Sequence, residues 1–117
     1  MKKLILFISI LLILSGCSNV KKNERYYQEI LCNKLDGVIE YTLEDKTRVD
    51  CLTDEYAIEV DWAKKWAEGV GQSLYYAHMT KRKSAIGLIV NSKDSRYIKR
   101  VNKLAKEFDI KIFIIKM

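Results

Sequence analysis

RVDCLTDEYAIEV, residues 48–60, decides the reading of this chain. Two β-rich runs, Arg48 to Leu52 and Tyr56 to Val60, flank the turn-forming Thr53-Asp54-Glu55, so the segment predicts an antiparallel hairpin. With Asp54 and Glu55 at the turn, Leu52 faces Ala57, Cys51 faces Ile58 and Asp50 faces Glu59. Directly opposed side chains share a face of the sheet, with Cβ atoms about 4.5–5.5 Å apart. Two carboxylates placed in this way repel each other. A divalent cation removes the conflict, because Mg²⁺ binds through one or two carboxylates together with water and phosphate oxygens. The alternatives are a register slip of one residue, or two carboxylates facing bulk water.

Working outward, Arg25 to Leu35 carries Tyr26, Tyr27, Ile30 and Leu31 at helical spacing, and Asp36-Gly37 stops it. Val38 to Leu43 reads as a strand, with a turn at Glu44 to Thr47. After the hairpin, Trp62 to Met79 is a long amphipathic helix, expected to turn Ala63, Trp66, Ala67, Val70, Leu74 and Ala77 to the core. Lys81 to Ser84 reads as a loop and Ala85 to Val90 as a strand buried on both faces. Ser92 to Phe108 predicts a helix with Ile98, Val101, Leu104, Ala105 and Phe108 inward, and Ile110 to Ile115 a closing strand. The order α-β-β-β-α-β-α-β predicts an α/β fold, a mixed sheet flanked by helices. The two strands reached through helices are expected at its centre, being the most continuously apolar.

The amino terminus has a different composition. Lys2 and Lys3 precede an eleven-residue apolar run, Leu4 to Leu14, broken only by Ser9 and well short of the roughly 20 residues a spanning helix needs. Leu14-Ser15-Gly16-Cys17 follows and resembles a bacterial lipobox, which implies cleavage before Cys17 and lipid on its thiol. Residues 1–16 are therefore read as a lipoprotein signal peptide, 17–24 as a tether and 25–117 as one folded domain, anchored in the bacterial envelope outside the cytoplasmic membrane. This excludes a cytoplasmic multidomain enzyme. One histidine and two further cysteines, Cys32 and Cys51, exclude a haem or zinc-finger site. The net charge of +6 is compatible with an anionic partner and equally with simple solubility.

On a helical wheel begun at Trp62, Lys65, Gln72 and Tyr76 fall within about 40 degrees of one another, beside Gly69. They sit at the edge of the core on the helix that leaves the strand carrying Glu59; snorkelling at a helix boundary is the plain alternative. Asp50, then Glu59-Val60-Asp61, then Gln72-Ser73-Leu74-Tyr75-Tyr76 resembles the PD-(D/E)XK, or restriction-endonuclease-like, nuclease superfamily. The Gln-x-x-x-Tyr spacing is similar to that of its RecB-like branch, and the stretch from Thr47 to Tyr76 also resembles a group of small bacterial proteins, often exported. The resemblance implies a restriction-endonuclease-like core over about Tyr26 to Met117. It implies that Asp50 and Glu59 bind Mg²⁺ for attack of water on a phosphodiester of DNA or RNA. The family's lysine would stand two residues after Glu59, where this chain has Asp61. Some members supply it from the following helix, and Lys65 is the candidate here, with Gln72 and Tyr76 beside it. Glu29 or Glu40 is the candidate for an additional acidic residue that some members carry.

Cys51 points away from Asp50, toward the face that the helix bearing Cys32 is able to cover, so the two cysteines pair as a disulfide or remain as buried thiols. His78 lies away from the Lys65 stripe and reads as structural or exposed. Lys81, Arg82, Lys83, Arg96, Lys99, Arg100 and Lys103 read as solvated charge, with phosphate contact as the alternative. Two functions follow. One is a lipid-anchored Mg²⁺-dependent nuclease. The other is a non-catalytic envelope lipoprotein that uses the same fold to bind nucleic acid or a protein partner.

Overall fold

The computed structural model describes residues 20–117; the signal peptide, Cys17 and the start of the tether lie outside the described residues. The first helix, α1, spans Glu24–Lys34. Asn23 caps it, its side-chain oxygen accepting the Tyr26 N–H at 3.0 Å, so Glu24 belongs to the domain and not to the expected tether. Three antiparallel strands follow: β1 (Val38–Thr42), β2 (Arg48–Leu52) and β3 (Tyr56–Trp62). Thr53 closes the second hairpin, its hydroxyl accepting the Tyr56 N–H at 2.8 Å. The pairs Cys51↔Ile58 and Leu52↔Ala57 set the register of β2 on β3, the alignment that the turn at Asp54-Glu55 predicts.

The expected helix from Trp62 starts later. β3 continues to Trp62 because its whole length pairs in parallel with β4 (Lys83–Val90), from Tyr56↔Lys83 to Trp62↔Ile89. A 3₁₀ turn, Ala63–Lys65, then leads into α2, Trp66–Thr80. The 3₁₀ turn has three residues per turn and changes the phase of the wheel. The buried face of α2 is therefore Gly69, Val70, Ser73 and Tyr76, while Ala67, expected inward, is exposed. Lys83 and Ser84, read as loop, open β4.

β4 is buried from Ser84 onward and lies inside the sheet. Helix α3 (Ser95–Phe108) returns the chain to β5 (Lys111–Lys116), which pairs in parallel with β4. The strand order is β1-β2-β3-β4-β5. β5 is thus an edge strand and not central as expected; none of its residues is fully buried, because only one of its long sides is paired. Phe108, expected inward, is 53% exposed, since the chain turns away at Asp109 with φ 52°.

α1 covers one face, packing Tyr27, Leu31 and Cys32 against Cys51, Ile58, Val60, Ala85 and Ile89. α2 and α3 cover the other, with Val70 and Val101 against Ile86, Leu88 and Val90. Cys32 and Cys51 form a disulfide that joins α1 to β2. A Cβ at Gly37 would lie 2.4 and 2.7 Å from the two sulfurs, so only glycine fits where the chain leaves α1. The fold thereby holds β2 and β3 between two helical layers, with the α2 face of both strands at the edge of the core.

Candidate functional site

The hairpin register places Asp50 and Glu59 on the α2 face, just past the last paired residues, Cys51 and Ile58. There the Asp50 side chain takes over from the backbone ladder: its Oδ2 accepts the Val60 N–H at 2.8 Å. The Asp50 carbonyl in turn accepts from Gln28 Nε2 of α1 at 2.9 Å. Gln28 is buried, and its amide also donates to Glu40 Oε1 at 3.1 Å. Its place among the inward Tyr27 and Leu31 was the signal in the sequence: a polar side chain on a buried stripe needs partners.

Glu59 is 6% exposed and its Oε2 is buried with no hydrogen-bond partner. Burial, then the neighbouring Asp50 charge, pushes its carboxyl up to about 10, so it holds a proton at neutral pH and shares it with Asp50. Asp50 is raised to about 6 by burial, against the opposing Val60 N–H. Asp61, on the same face two residues on, is likewise raised to about 6, by burial and then by Glu24. Glu24, in the first turn of α1, is raised by burial and by Asp50, and its carboxyl meets that of Asp61. The site is therefore four carboxyl groups in two contacts, Asp50 with Glu59 and Asp61 with Glu24.

Lys65 is exposed, and its charge acts on Glu24 and Asp61, the outer contact. The 3₁₀ turn separates it from the α2 face that carries Tyr76. Tyr76 is buried beside the inner contact; its hydroxyl is raised by burial, then by Glu59 and Asp50, with the Gln72 side chain opposing. A Cβ at Gly69 would lie 2.9 Å from Ile86 Cδ1 and 3.4 Å from Asp61 Cβ, so this glycine lets α2 lie close over the acidic strand.

Glu29 does not join this group: it is exposed and pairs with Arg25 at 2.7 Å. Glu40 sits at the border, bridged to Arg25 at 3.2 Å and to Arg48 at 3.5 Å, while adding to the charge felt by Asp50. Glu24, a tether residue by sequence, is the acidic residue of α1 that reaches the site. His78 is exposed. Arg82 donates to the Thr53 carbonyl, Lys83 pairs with Glu55 at 3.2 Å, and Arg96 and Arg100 lie over the Tyr97 ring, so these cations are engaged within the domain.

Among the described residues, no three His, Cys, Asp or Glu side chains converge to hold one metal ion. A cation here would take two carboxylates and complete its shell with other oxygens. The larger clefts lie elsewhere. One of about 300 Å³ is lined by Trp62, Lys64, Asn91 and Asp94. Another of about 410 Å³ lies along Ser95, Ile98 and Ile114. Both lack the buried titratable groups that give the carboxyl cluster its chemistry.

Residues 1–18 match the prokaryotic membrane lipoprotein lipid attachment site, and Cys17 is the cysteine in that segment. The protein is lipid-anchored in the bacterial envelope. Among the described residues no helix is long and apolar enough to cross a membrane. The chain is similar to a protein of Acanthamoeba polyphaga mimivirus whose name describes it as KilA-N domain-containing. The two are 34% identical over 96 residues, covering 78% of this chain. The chain spans 36% of the length of that relative. A match of that extent necessarily includes the segment from β2 to α2. No solved structure matches the chain.

Proposed function

We propose that the domain is a restriction-endonuclease-like, divalent-cation-dependent phosphodiesterase held at the envelope by its lipid. One observation carries this reading: the buried Glu59 Oε2 has no hydrogen-bond partner and stands beside a second, half-buried carboxyl, Asp50. An orphaned buried acceptor costs about 1–3 kcal/mol, so it calls for a ligand that supplies positive charge. Asp50 and Glu59 are the residues that would hold the ion, hard oxygen donors of the type Mg²⁺ prefers. When bound, such an ion lowers the pKa of a water molecule and offsets charge on a phosphoryl oxygen. Asp50 is oriented for this by the Val60 N–H and by Gln28 behind its carbonyl. The Tyr76 hydroxyl lies near the same two carboxyls. Lys65 offers the exposed positive charge at the outer edge, where the phosphate of a nucleic acid would approach.

A second reading has its own observation. Asp61 stands where the resembled family carries lysine, and it adds to an acidic cluster that repels a polyanion. The domain would then bind a partner without cleaving it.

The test uses the lipidated chain in detergent. Its melting is measured with and without Mg²⁺, and labelled single-stranded DNA, duplex DNA and RNA are offered as substrates. The nuclease reading expects Mg²⁺ to raise the melting temperature and to switch on cleavage. Asp50→Asn keeps an acceptor for the Val60 N–H, so it should fold while losing both effects. A Mg²⁺ shift without cleavage of any substrate supports the second reading. Equal Mg²⁺ shifts in wild type and Asp50→Asn remove the metal site altogether.

A further inference from the structure

The chain that follows Cys17 enters the domain at the end that carries the acidic cluster. Cys17 and Glu24 are seven residues apart, at most about 25 Å even for a fully extended chain. Glu24 touches Asp61 at the carboxyl end of β3, and the Tyr27 ring packs edge-on against Trp62 at 5.8 Å. The parallel ladder continues this end across the sheet, through Trp62↔Ile89 to Val90↔Lys116.

Six exposed lysines cluster there: Lys21 and Lys22 before α1, Lys64 and Lys65 in the 3₁₀ turn, Lys93 after β4, and Lys116 on β5. Among the described residues none of the six lies within ion-pair distance of a carboxylate. The acidic groups at this end match the lysines in number but not in exposure: Glu59 and Asp61 are buried and Asp50 is half-buried, its carboxyl turned to Glu59. Glu24 and Asp61 face each other, Asp94 accepts the Asn91 N–H at 2.9 Å, and Glu68 lies near Glu24. At the opposite end the carboxyls are exposed as well: Lys81, Lys83 and Lys111 stand among Asp36, Asp54, Glu55 and Asp109, and Lys83 pairs with Glu55. Short tether and unpaired charge therefore point the same way.

We propose that this lysine-bearing end docks on the anionic headgroup surface of the membrane that holds the lipid of Cys17, so that the acidic cluster stands at headgroup height. The tether limits how far the domain strays, and the lysines select which end turns inward. Attraction of lysines to anionic lipid acts within about a Debye length, roughly 10 Å, and only a domain held this close to the bilayer profits from it. The inference rests on the lipid anchor and the charge distribution, and stands whether or not the carboxyls bind a metal.

The experiment reconstitutes the full lipidated chain in vesicles of neutral phosphatidylcholine, or of equal parts phosphatidylcholine and phosphatidylglycerol. A limiting, membrane-impermeant amine-acylating reagent is read out lysine by lysine by mass spectrometry. Lys64, Lys65, Lys93 and Lys116 should label roughly threefold or more slowly on the anionic vesicles at low salt, and recover in high salt. Lys81, Lys83 and Lys111 should label alike on both, and they control for reagent access. Lys21 and Lys22 are too close to the anchor to discriminate. The double variant Lys64→Glu/Lys65→Glu, in an exposed turn, should abolish the protection of Lys93 and Lys116. Equal labelling of the four lysines on both vesicles overturns the proposal, as does protection of the opposite end. Stronger protection of the four by an added oligonucleotide on neutral vesicles than by anionic lipid overturns it in favour of a nucleic-acid surface.

Discussion

Glu59 is where residue type and position conflict most. A glutamate on a β-strand is unremarkable until its carboxyl is buried beside Asp50 and left with one oxygen unpartnered. The consequence for stability has a definite sign. Below about pH 4.5 the folded and unfolded chains both hold the Glu59 proton. Above it the unfolded chain releases the proton, while the folded chain keeps it until the pH nears about 10. The folded state binds more protons across that window, so stability falls as pH rises. Asp50 and Asp61, raised from 3.8 to about 6, add to the decline at its acid end. Melting temperatures measured in chelator from pH 5 to 9 should therefore drop steadily. Glu59→Gln, which cannot ionise, should flatten the profile and gain about 1–3 kcal/mol over wild type at the alkaline end. A wild-type profile that rises with pH would exclude a protonated Glu59.

At the scale of the element, α2 shows how one short turn changes a helix's assignment. The 3₁₀ residues Ala63–Lys65 rotate the following helix, so Gly69, Ser73 and Tyr76 face the sheet. Its two glycines then have opposite meanings. Gly71 is exposed, and a Cβ there meets nothing within 4 Å, so Gly71→Ala should stabilise by about 0.5–1 kcal/mol. Gly69→Ala should destabilise, because the new methyl would press on the buried Ile86 and on Asp61, lifting α2 off the acidic strand. Chemical denaturation of the two variants checks this; a stabilising Gly69→Ala would mean that α2 does not lie as closely over β3 as described.

For the molecule as a whole, α1 is the element that joins anchor, disulfide and site. It carries Glu24 and Gln28 to the carboxyl cluster, and it is bonded to β2 through Cys32 and Cys51. Closing a loop of 19 residues typically contributes about 2–4 kcal/mol. Cys32→Ser/Cys51→Ser should lose that amount, and amide exchange should quicken first in α1, the layer the bond retains. Uniform exchange rates in both proteins would show that α1 is held by packing alone. Much of this architecture was legible beforehand, because it depends on local signals. The signal peptide announces itself by charge followed by an apolar run. The β2–β3 register follows from the turn residues, and the buried character of β4 from its unbroken apolar run. What required the tertiary structure is everything that depends on distance across layers. Trp62 is a strand residue because β4 lies beside it, and β5 is an edge because nothing pairs with its far side. Glu24 joins the site, and Glu29 does not, because of how α1 docks against β3. Sequence alone determined which side chains share a strand or a helix turn, since that follows from backbone periodicity. Which carboxyls lose their water, and so hold their protons, was decided only when the two helical layers closed on the sheet, because desolvation is a property of the packed whole.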